Sequence, residues 1–297
     1  MGKGIFATRD IKAGELIFSE RPLLVGPSTI EVGALRYPVG ERELRSLHAL
    51  MIQEWEQRLE LTLMRMDKED EEAYKALRNS HTEDGSGPLL GIFRTNGFEM
   101  GLYDKEQRID VITYSAILKI GSRINHSCIQ NVMYKFDIPS LSFRFHAVLP
   151  IKAGEQLFFH FCKTGQSKAE RAAELAPYGI VCNCPACENA TPETDKLRKE
   201  YKKLTREYTK KIRQWLSLET DGSQASGSSH KINENQLEPI LRFKDALAQE
   251  GLRYTRKYWT ILWNVYLFYE KLGMTAKAIE FLEAYGELQG VEEALRF

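Results

Sequence analysis

The spacing of apolar residues along the chain predicts a β-rich first part and a helical last part. Residues 2–7 and 11–18 are two short β-like runs around a turn that Gly14 closes, which predicts a hairpin. From residue 41 to about residue 77, apolar residues recur at the period of an amphipathic helix. Strands rich in aromatic and branched side chains are then predicted over residues 133–136, 141–148 and 156–161.

The pattern becomes helical from Pro192 onward. Thr191 and Pro192 are typical of a helix start, and apolar side chains follow at helical spacing. These side chains are Leu197, Tyr201, Leu204, Tyr208, Ile212 and Trp215. Residues 221–229 are rich in Gly and Ser and predict a linker, and further helices are predicted over residues 237–247, 253–272 and 275–288. The last two resemble a tetratricopeptide-type helical hairpin, of which one repeat at most is visible.

Charge and hydropathy limit the partners that the sequence favours. Lys plus Arg and Asp plus Glu both number 41, so the chain has no net charge and gives no direct signal for nucleic acid. The helix that follows Pro192 has one basic face, which we interpret as a solvated face. No apolar run approaches the roughly 20 residues that span a bilayer, and no secretory signal is visible. We expect no membrane partner and an intracellular protein, nuclear and/or cytoplasmic.

The cysteines give the strongest chemical signal. Cys182, Cys184 and Cys187 lie so close together in the sequence that their thiolates can meet at one ion. An odd total of five cysteines favours a metal site over a disulfide framework. Tetrahedral zinc needs a fourth ligand, and the remaining thiols are those of Cys128 and Cys162.

The run Asn125-His126-Ser127-Cys128 resembles the signature of SET-domain methyltransferases. In that family the cysteine of this run joins a post-SET Cys-x-Cys-x-x-Cys motif in a tetrahedral zinc site. The resemblance therefore implies a zinc site made of Cys128, Cys182, Cys184 and Cys187, and it gives Cys162 no role. Three other family landmarks follow in the expected order: Gly2-Lys3-Gly4, Gly154-Glu155-Gln156-Leu157 and Tyr178.

The resemblance covers roughly residues 1–190 and is nearest to the SET and MYND methyltransferases and the fungal SET proteins akin to them. It implies an α+β fold. A SET domain of short strands would occupy residues 1–165, with a helical insertion at about residues 28–90. A post-SET zinc segment would follow at 166–190 and an all-α, tetratricopeptide-like module at 191–297. The insertion contains no cysteine, so the MYND zinc finger is missing.

The resemblance also implies a site that binds S-adenosylmethionine and a channel that receives a lysine. The cofactor-binding residues would be Lys3, Gly4, Asn96, Asn125 and His126. Glycine lets the backbone approach a ligand closely, and Asn and His side chains supply directed hydrogen bonds. Phe98 and Tyr178 would line the channel, although packing in the core explains Phe98 nearly as well.

The sequence departs from the family at Phe161, where a second channel tyrosine is expected. Phe161 keeps the apolar pattern and lacks the hydroxyl. Strand alternation would point His160 to the opposite face, so a replacement by His160 would need a bulge. The catalytic candidates are thus Tyr178, Phe161 and His160.

We expect a protein-lysine methyltransferase that acts on a lysine-containing protein, with histones among the candidates. The C-terminal helices are a possible surface for a protein partner. Two alternatives stay open because of Phe161. The first is a catalytically impaired, SET-like binding module, and the second is a SET fold reused for a small-molecule reaction.

Overall fold

A computed structural model describes residues 3–28, 41–100, 114–217 and 232–296, with side chains described from residue 46 in the first helix and up to residue 291 in the last. Gly2, residues 29–40 of the predicted insertion and the predicted linker 221–229 lie outside the described residues. Within the described ranges, no helix has the length and apolar character that a membrane crossing requires.

The secondary structure of the described residues is mixed, and the fold is α+β as predicted. The strands are β1 (Leu16–Glu20), β2 (Leu24–Pro27), β3 (Phe98–Met100), β4 (Tyr114–Ile117), β5 (Asn125–His126), β6 (Val132–Asp137), β7 (Ser142–Ala147) and β8 (Phe158–Phe159). The helices are α1 (Glu41–Leu63), α2 (Lys68–Lys75), α3 (Pro88–Asn96), α4 (Lys168–Leu175), α5 (Pro185–Glu188), α6 (Pro192–Ser217), α7 (Glu238–Gln249), α8 (Arg256–Lys271) and α9 (Thr275–Arg296).

The described strands form small sheets with the orders β1-β7-β6, β2-β4-β3 and β5-β8. The predicted hairpin between residues 2–7 and 11–18 is wrong. β1 pairs antiparallel with β7, and the segment before it forms isolated bridges from Phe6 to Gln156 and from Ile11 to Ile151. These partners lie far away in sequence, and they satisfy backbone groups that a local hairpin would otherwise have paired.

The last predicted strand is shorter than expected. Of residues 156–161, only Phe158 and Phe159 form β8, which runs parallel to β5. The next two backbone amides bond to side chains, since the N–H of His160 donates to Gln130 Oε1 at 3.1 Å and that of Phe161 to His126 Nδ1 at 3.0 Å. The predicted strands at 133–136 and 141–148 are present as the hairpin of β6 and β7.

The described part of the insertion is helical, and the helix expected over residues 41–77 is divided into α1 and α2. Its helices pack on a second hydrophobic cluster, which also takes in Leu24 of β2 and Ile117 of β4 and in which the Trp55 and Phe93 ring centroids are 5.7 Å apart. The carboxylate of Glu56 on α1 accepts the N–H groups of Leu89 and Leu90 at 2.9 and 2.7 Å. These bonds satisfy free amides in the first turn of α3 and fix it against α1.

Helices α6, α7 and α9 pack around the buried face of α8, and the helical part meets the β-rich part at several places, two of them at glycines. A Cβ added to Gly14 would lie 3.2 Å from the backbone carbon of Gly290, so α9 reaches the turn before β1. A Cβ on Gly251 would lie 2.8 Å from the Ile129 side chain, directly after Cys128. Side chains at these glycines would hold the two parts of the molecule apart.

Candidate zinc site and active site

The thiols of Cys128, Cys182, Cys184 and Cys187 converge as predicted. Their Sγ atoms all lie within 4.8 Å of one another, and Cys128 Sγ is 3.9 Å from Cys182 Sγ and 3.5 Å from Cys187 Sγ. Zinc bound to four thiolates at about 2.3 Å in a tetrahedron separates the sulfurs by about 3.8 Å. The chemistry and spacing of this donor set fit zinc.

Local structure brings the thiols together from two directions. Cys128 follows β5 and is fully buried, while Cys182 and Cys184 lie in the loop that leads into the single turn of α5 and Cys187 lies in that turn. The N–H of Cys187 donates to the carbonyl of Cys184 at 2.8 Å, which closes that turn. Pro185 at the start of α5 supports the turn, because its fixed φ suits the first helical position.

A buried cation lies beside the thiols. Arg171 on α4 is 1% exposed, and its Nη2 is 3.5 Å from Cys187 Sγ and 3.4 Å from the carbonyl of Ala186. Its Nη1 donates to the carbonyl of Gln166 at 2.7 Å. Burial opposes the charged form of Arg171 more than any single contact favours it, but the hydrogen bond to Cys187 and the charges of Cys128 and Cys187 together hold its pKa above the ordinary value. The sequence carries no signal for this residue, since an arginine in a short helix is ordinarily solvated.

Cys162 lies outside the thiol cluster. It is buried, and its Sγ donates to the carbonyl of Arg171 at 3.7 Å. Burial raises its pKa to about 11, so it stays a neutral thiol at physiological pH. Cys162 therefore packs next to the predicted zinc site without belonging to it.

The side chain of His126 connects the thiol cluster with the candidate active site. Its Nδ1 accepts the N–H of Phe161 at 3.0 Å, and its Nε2 is 3.5 Å from Cys128 Sγ. Burial lowers the pKa of His126 to about 4, so the ring is neutral. Because both ring nitrogens face protein groups, the imidazole fixes the positions of Phe161 and Cys128.

Gly4 and Asn125 meet at one edge of the β5–β8 pair. A Cβ at Gly4 would lie 1.8 Å from Gln156 Nε2 and 2.8 Å from Asn125 Nδ2, so a larger residue there would displace both amide groups. Asn131 holds the neighbouring strand in place, since its Nδ2 donates to the carbonyl of Gln156 at 2.9 Å and its Oδ1 accepts the N–H of Phe158 at 2.7 Å. Asn131 was not among the predicted residues, although its position just after the signature is a usable signal.

Two other predicted cofactor residues are placed differently. Lys3 is exposed next to Gly4. The amide of Asn96 donates to the carbonyls of Arg78 and Ile92 at 2.7 and 2.8 Å, so both of its N–H groups are used inside the insertion. These bonds stabilise the end of α3.

A row of aromatic rings runs from the core to the surface. The ring centroids are 6.1 Å apart for Phe98 and Phe159, 6.0 Å for Phe159 and Phe161, and 6.2 Å for Phe161 and Tyr178. Phe98 is 8% exposed and packs in the core, while Phe161 is 38% exposed. Tyr178 ends a short 3₁₀ turn, and Gly179 follows it with a φ of 60°, a conformation that suits glycine.

His160 lies beside His126. Its ring centroid is 5.8 Å from that of His126, and its Nε2 is buried without a hydrogen-bond partner among the described residues. Burial lowers its pKa to about 3, with further contributions from His126 and Arg198. From the sequence, strand alternation was expected to point His160 to the face opposite Phe161. β8 ends at Phe159, so alternation does not set the direction of His160. Within the described part of the chain, the ring beside Tyr178 is that of Phe161.

The comparisons with known proteins agree with this arrangement. The SET domain family model matches residues 2–162, more than half of the chain, and the chain belongs to the SET-domain family. It is 30% identical over 169 residues to "Histone-lysine N-methyltransferase set5" of Schizosaccharomyces pombe, a match covering 57% of this chain and 49% of that protein. The chain thus spans about half the length of that relative.

Two further relatives carry the same domain name. The chain is 70% identical over 27 residues to "SET domain-containing protein SmydA-8, isoform A" of Drosophila melanogaster, a match covering 9% of this chain and 6% of that protein. It is 25% identical over 200 residues to "Putative SET domain-containing protein L678" of Acanthamoeba polyphaga mimivirus, covering 63% of this chain and 73% of that protein.

Proposed function

We propose that this SET-domain protein is a protein-lysine N-methyltransferase that uses S-adenosylmethionine. The observation that carries the proposal is the link through His126, which follows Asn125 in β5, contacts the thiol cluster and accepts the amide of Phe161, whose ring lies next to that of Tyr178. The relative named as a histone-lysine methyltransferase supports a protein substrate, with histones among the candidates. Such a substrate agrees with a nuclear and/or cytoplasmic protein.

The Gly4–Asn125 edge is where we place the cofactor, which supplies a methyl group on a sulfonium when bound. The missing side chain at Gly4 lets its backbone lie close to the amide of Asn125, and Asn125 offers a donor and an acceptor for the polar ends of the ligand. His126 contributes through its backbone, because its ring is committed to Phe161 and Cys128. Lys3 lies at the rim, where its charge suits a carboxylate.

Phe161 and Tyr178 would receive the substrate lysine. Its amine must be neutral to attack, and the pKa of a solvated lysine is about 10.4. An aromatic channel disfavours the charged form by desolvation and excludes water from the reacting atoms. In this assignment, Tyr178 supplies the hydroxyl that orients the amine, and Phe161 provides an apolar wall.

A zinc ion held by Cys128, Cys182, Cys184 and Cys187 would hold the post-SET segment against β5. We assign residues 1–165 to the SET domain with its helical insertion, 166–190 to the post-SET segment and 191–297 to a tetratricopeptide-like module. The contact of Gly251 with Ile129 supports a role for that module as one wall of the substrate cleft. We place the chain near the SET and MYND proteins, without the finger.

A binding module with little catalytic power is the second candidate, and Phe161 favours it. The missing hydroxyl would reduce the rate on the order of a hundredfold. Incubation of the zinc-loaded protein with labelled S-adenosylmethionine, purified histones and a cell lysate distinguishes the candidates. Transfer by the wild type, with loss in Tyr178→Phe, supports the enzyme. No transfer by the wild type or by Phe161→Tyr supports the binding module.

A further inference from the structure

A groove between α6 and the start of α8 lies apart from the candidate active site. Its volume is about 500 Å³, and every residue that lines it carries a side-chain hydrogen-bond donor. The lining residues are Thr205, Arg206, Thr209, Lys210, Arg213, Gln214, Ser217, Lys257 and Thr260. None of these residues has a carboxylate, so the groove combines many donors with concentrated positive charge.

The cations of the groove differ in their partners from most other cations of α6. Arg206, Lys210, Arg213 and Lys257 have no ion pair or ring contact within the described part of the chain. Elsewhere on α6 such contacts are common: Lys199 with Glu170, Lys203 with Glu207, Lys202 over the Tyr201 ring and Lys211 over the Tyr208 ring. Lys196, near the start of α6, is exposed and also lacks such a partner among the described residues.

The groove is unfavourable in the absence of an anion. Arg206, Lys210 and Arg213 follow one another at spacings of four and three on one helix, where like charges repel. Lys257 lies in the first turn of α8, which has no acidic residue, at the end of a helix where the macrodipole disfavours a cation. The hydroxyl of Thr209 is buried with no hydrogen-bond partner among the described residues. These groups lack a matching acceptor.

The lining chemistry selects among anions. The groove has no aromatic residue in its lining, so it offers no stacking platform for a base, and its apolar surface comes from the stems of polar side chains. Arg, Lys, Ser, Thr and Gln are the side chains that contact phosphate oxygens in protein–nucleic acid complexes. The lining run from Thr205 to Ser217 is about 18 Å long at 1.5 Å per helical residue, the length of about five base pairs.

We propose that this groove binds the phosphodiester backbone of nucleic acid without reading its sequence. Binding of this type depends on counterion release, so the affinity falls with salt in proportion to the number of phosphates neutralised. Four groove cations predict a slope of about −3 to −4 in log K against log salt for duplex DNA. The proposal stands apart from methyl transfer and leaves the candidate active site unchanged.

The test is fluorescence anisotropy of a labelled 10-base-pair hairpin duplex, which at about 34 Å is too short to reach Lys196 when centred on the groove, with the full zinc-loaded chain. We expect a Kd of about 1–100 µM near physiological salt, the range for binding through phosphates alone. Lys210→Glu is expected to weaken binding about tenfold and to reduce the salt slope by about one. Lys196→Glu makes the same charge change on the same helix, about 21 Å from Lys210 and beyond the Debye length, so it is expected to change Kd less than about twofold.

Each outcome decides the proposal. Both variants are exposed helix substitutions, and circular dichroism together with zinc content verifies that they fold. Equal losses in Lys210→Glu and Lys196→Glu would mean a general charge effect and overturn the proposal, as would no binding by the wild type at low salt. Tighter binding of a labelled polyglutamate peptide than of the duplex, lost in Lys210→Glu, would assign the groove to an acidic protein segment.

Discussion

Arg171 places its Nη2 3.5 Å from the Sγ of Cys187, and within the described residues this guanidinium has no carboxylate partner. An uncompensated buried cation is strongly unfavourable, whereas four thiolates and a zinc ion together carry two negative charges. Arg171 therefore has its natural counter-charge in a metal-loaded cluster, and the cluster has a donor that holds Cys187 in place.

Loss of that donor is expected to weaken zinc binding. Because partners of metal ligands typically contribute 10- to 100-fold to metal affinity, Arg171→Met should raise the zinc Kd by about that factor. Arg171→Lys keeps the charge without the planar fork, so its zinc Kd should lie between those of the wild type and Arg171→Met. Competition with a coloured chelator measures the zinc Kd of all three proteins. Equal zinc affinity for wild type and Arg171→Met would show that Arg171 is only a packing residue.

The identity of the zinc ligands is tested with a matched pair of cysteine variants. Elemental analysis of the wild type is expected to give one zinc per chain. Cys128→Ser removes a ligand and should lower both zinc content and melting temperature. Cys162→Ser changes a buried thiol outside the cluster and should keep the full zinc content. Loss of zinc in Cys162→Ser and not in Cys128→Ser would show that Cys162 is the fourth ligand and that the assignment of Cys128 is wrong.

The buried ion pair of Arg198 and Glu250 fixes α6 to the end of α7. Arg198 Nε donates to Glu250 Oε2 at 2.5 Å, and Arg198 Nη2 donates to the Glu250 carbonyl at 2.7 Å. Glu250→Gln would leave the arginine charge buried, which is expected to reduce the free energy of unfolding by about 3–5 kcal/mol. Replacing both residues by Met should reduce the free energy of unfolding by less than Glu250→Gln does, because no unpaired charge stays buried. Urea denaturation measures each variant, and a loss below about 1 kcal/mol for Glu250→Gln would contradict the account.

His160 should make stability depend on pH. Burial lowers its pKa to about 3, while an unfolded histidine titrates near 6.5. As the pH falls through about 6.5, the unfolded chain takes up a proton that the native protein excludes, so the free energy of unfolding decreases. Between about pH 7.5 and about pH 5.5, His160 alone should remove about 1 kcal/mol.

His160→Gln lacks this titration and keeps every other histidine and the thiols. Denaturation curves of the two zinc-saturated proteins at both pH values are therefore compared. The stability difference between wild type and variant should shift by about 1 kcal/mol in favour of the variant at the lower pH. An unchanged difference would mean that His160 titrates normally in the folded protein.

The local parts of the fold and site were predictable from sequence, and the parts made by distant contacts were not. Cysteine spacing predicted three thiols of the cluster, the family resemblance added Cys128, and helical periodicity predicted α6 to α9. The hairpin at the start of the chain was wrong because β1 pairs with β7, where Leu16 meets His146, a partner that alternation within one strand cannot identify.

The site shows the same division. The identities of His126 and Phe161 were known from the sequence, but not that the ring of the first accepts the amide of the second. Arg171 had no signal because only tertiary packing turns a helical arginine into a buried one. Asn96 was predicted to bind cofactor from its place in a motif. In the structure its amide donates to the carbonyl of Arg78, a contact between distant residues that the sequence does not reveal.

Calorimetric titration of the folded, zinc-loaded chain with S-adenosylmethionine tests the central claim most directly. We expect binding of one molecule per chain. Asn125→Ala should weaken this binding at least about tenfold, since it leaves buried polar groups of the ligand unpaired. The exposed Asn189→Ala should leave it unchanged. An absence of binding heat at several temperatures, in protein shown to contain zinc and to unfold cooperatively, would contradict the assignment of the Gly4–Asn125 edge as a cofactor site.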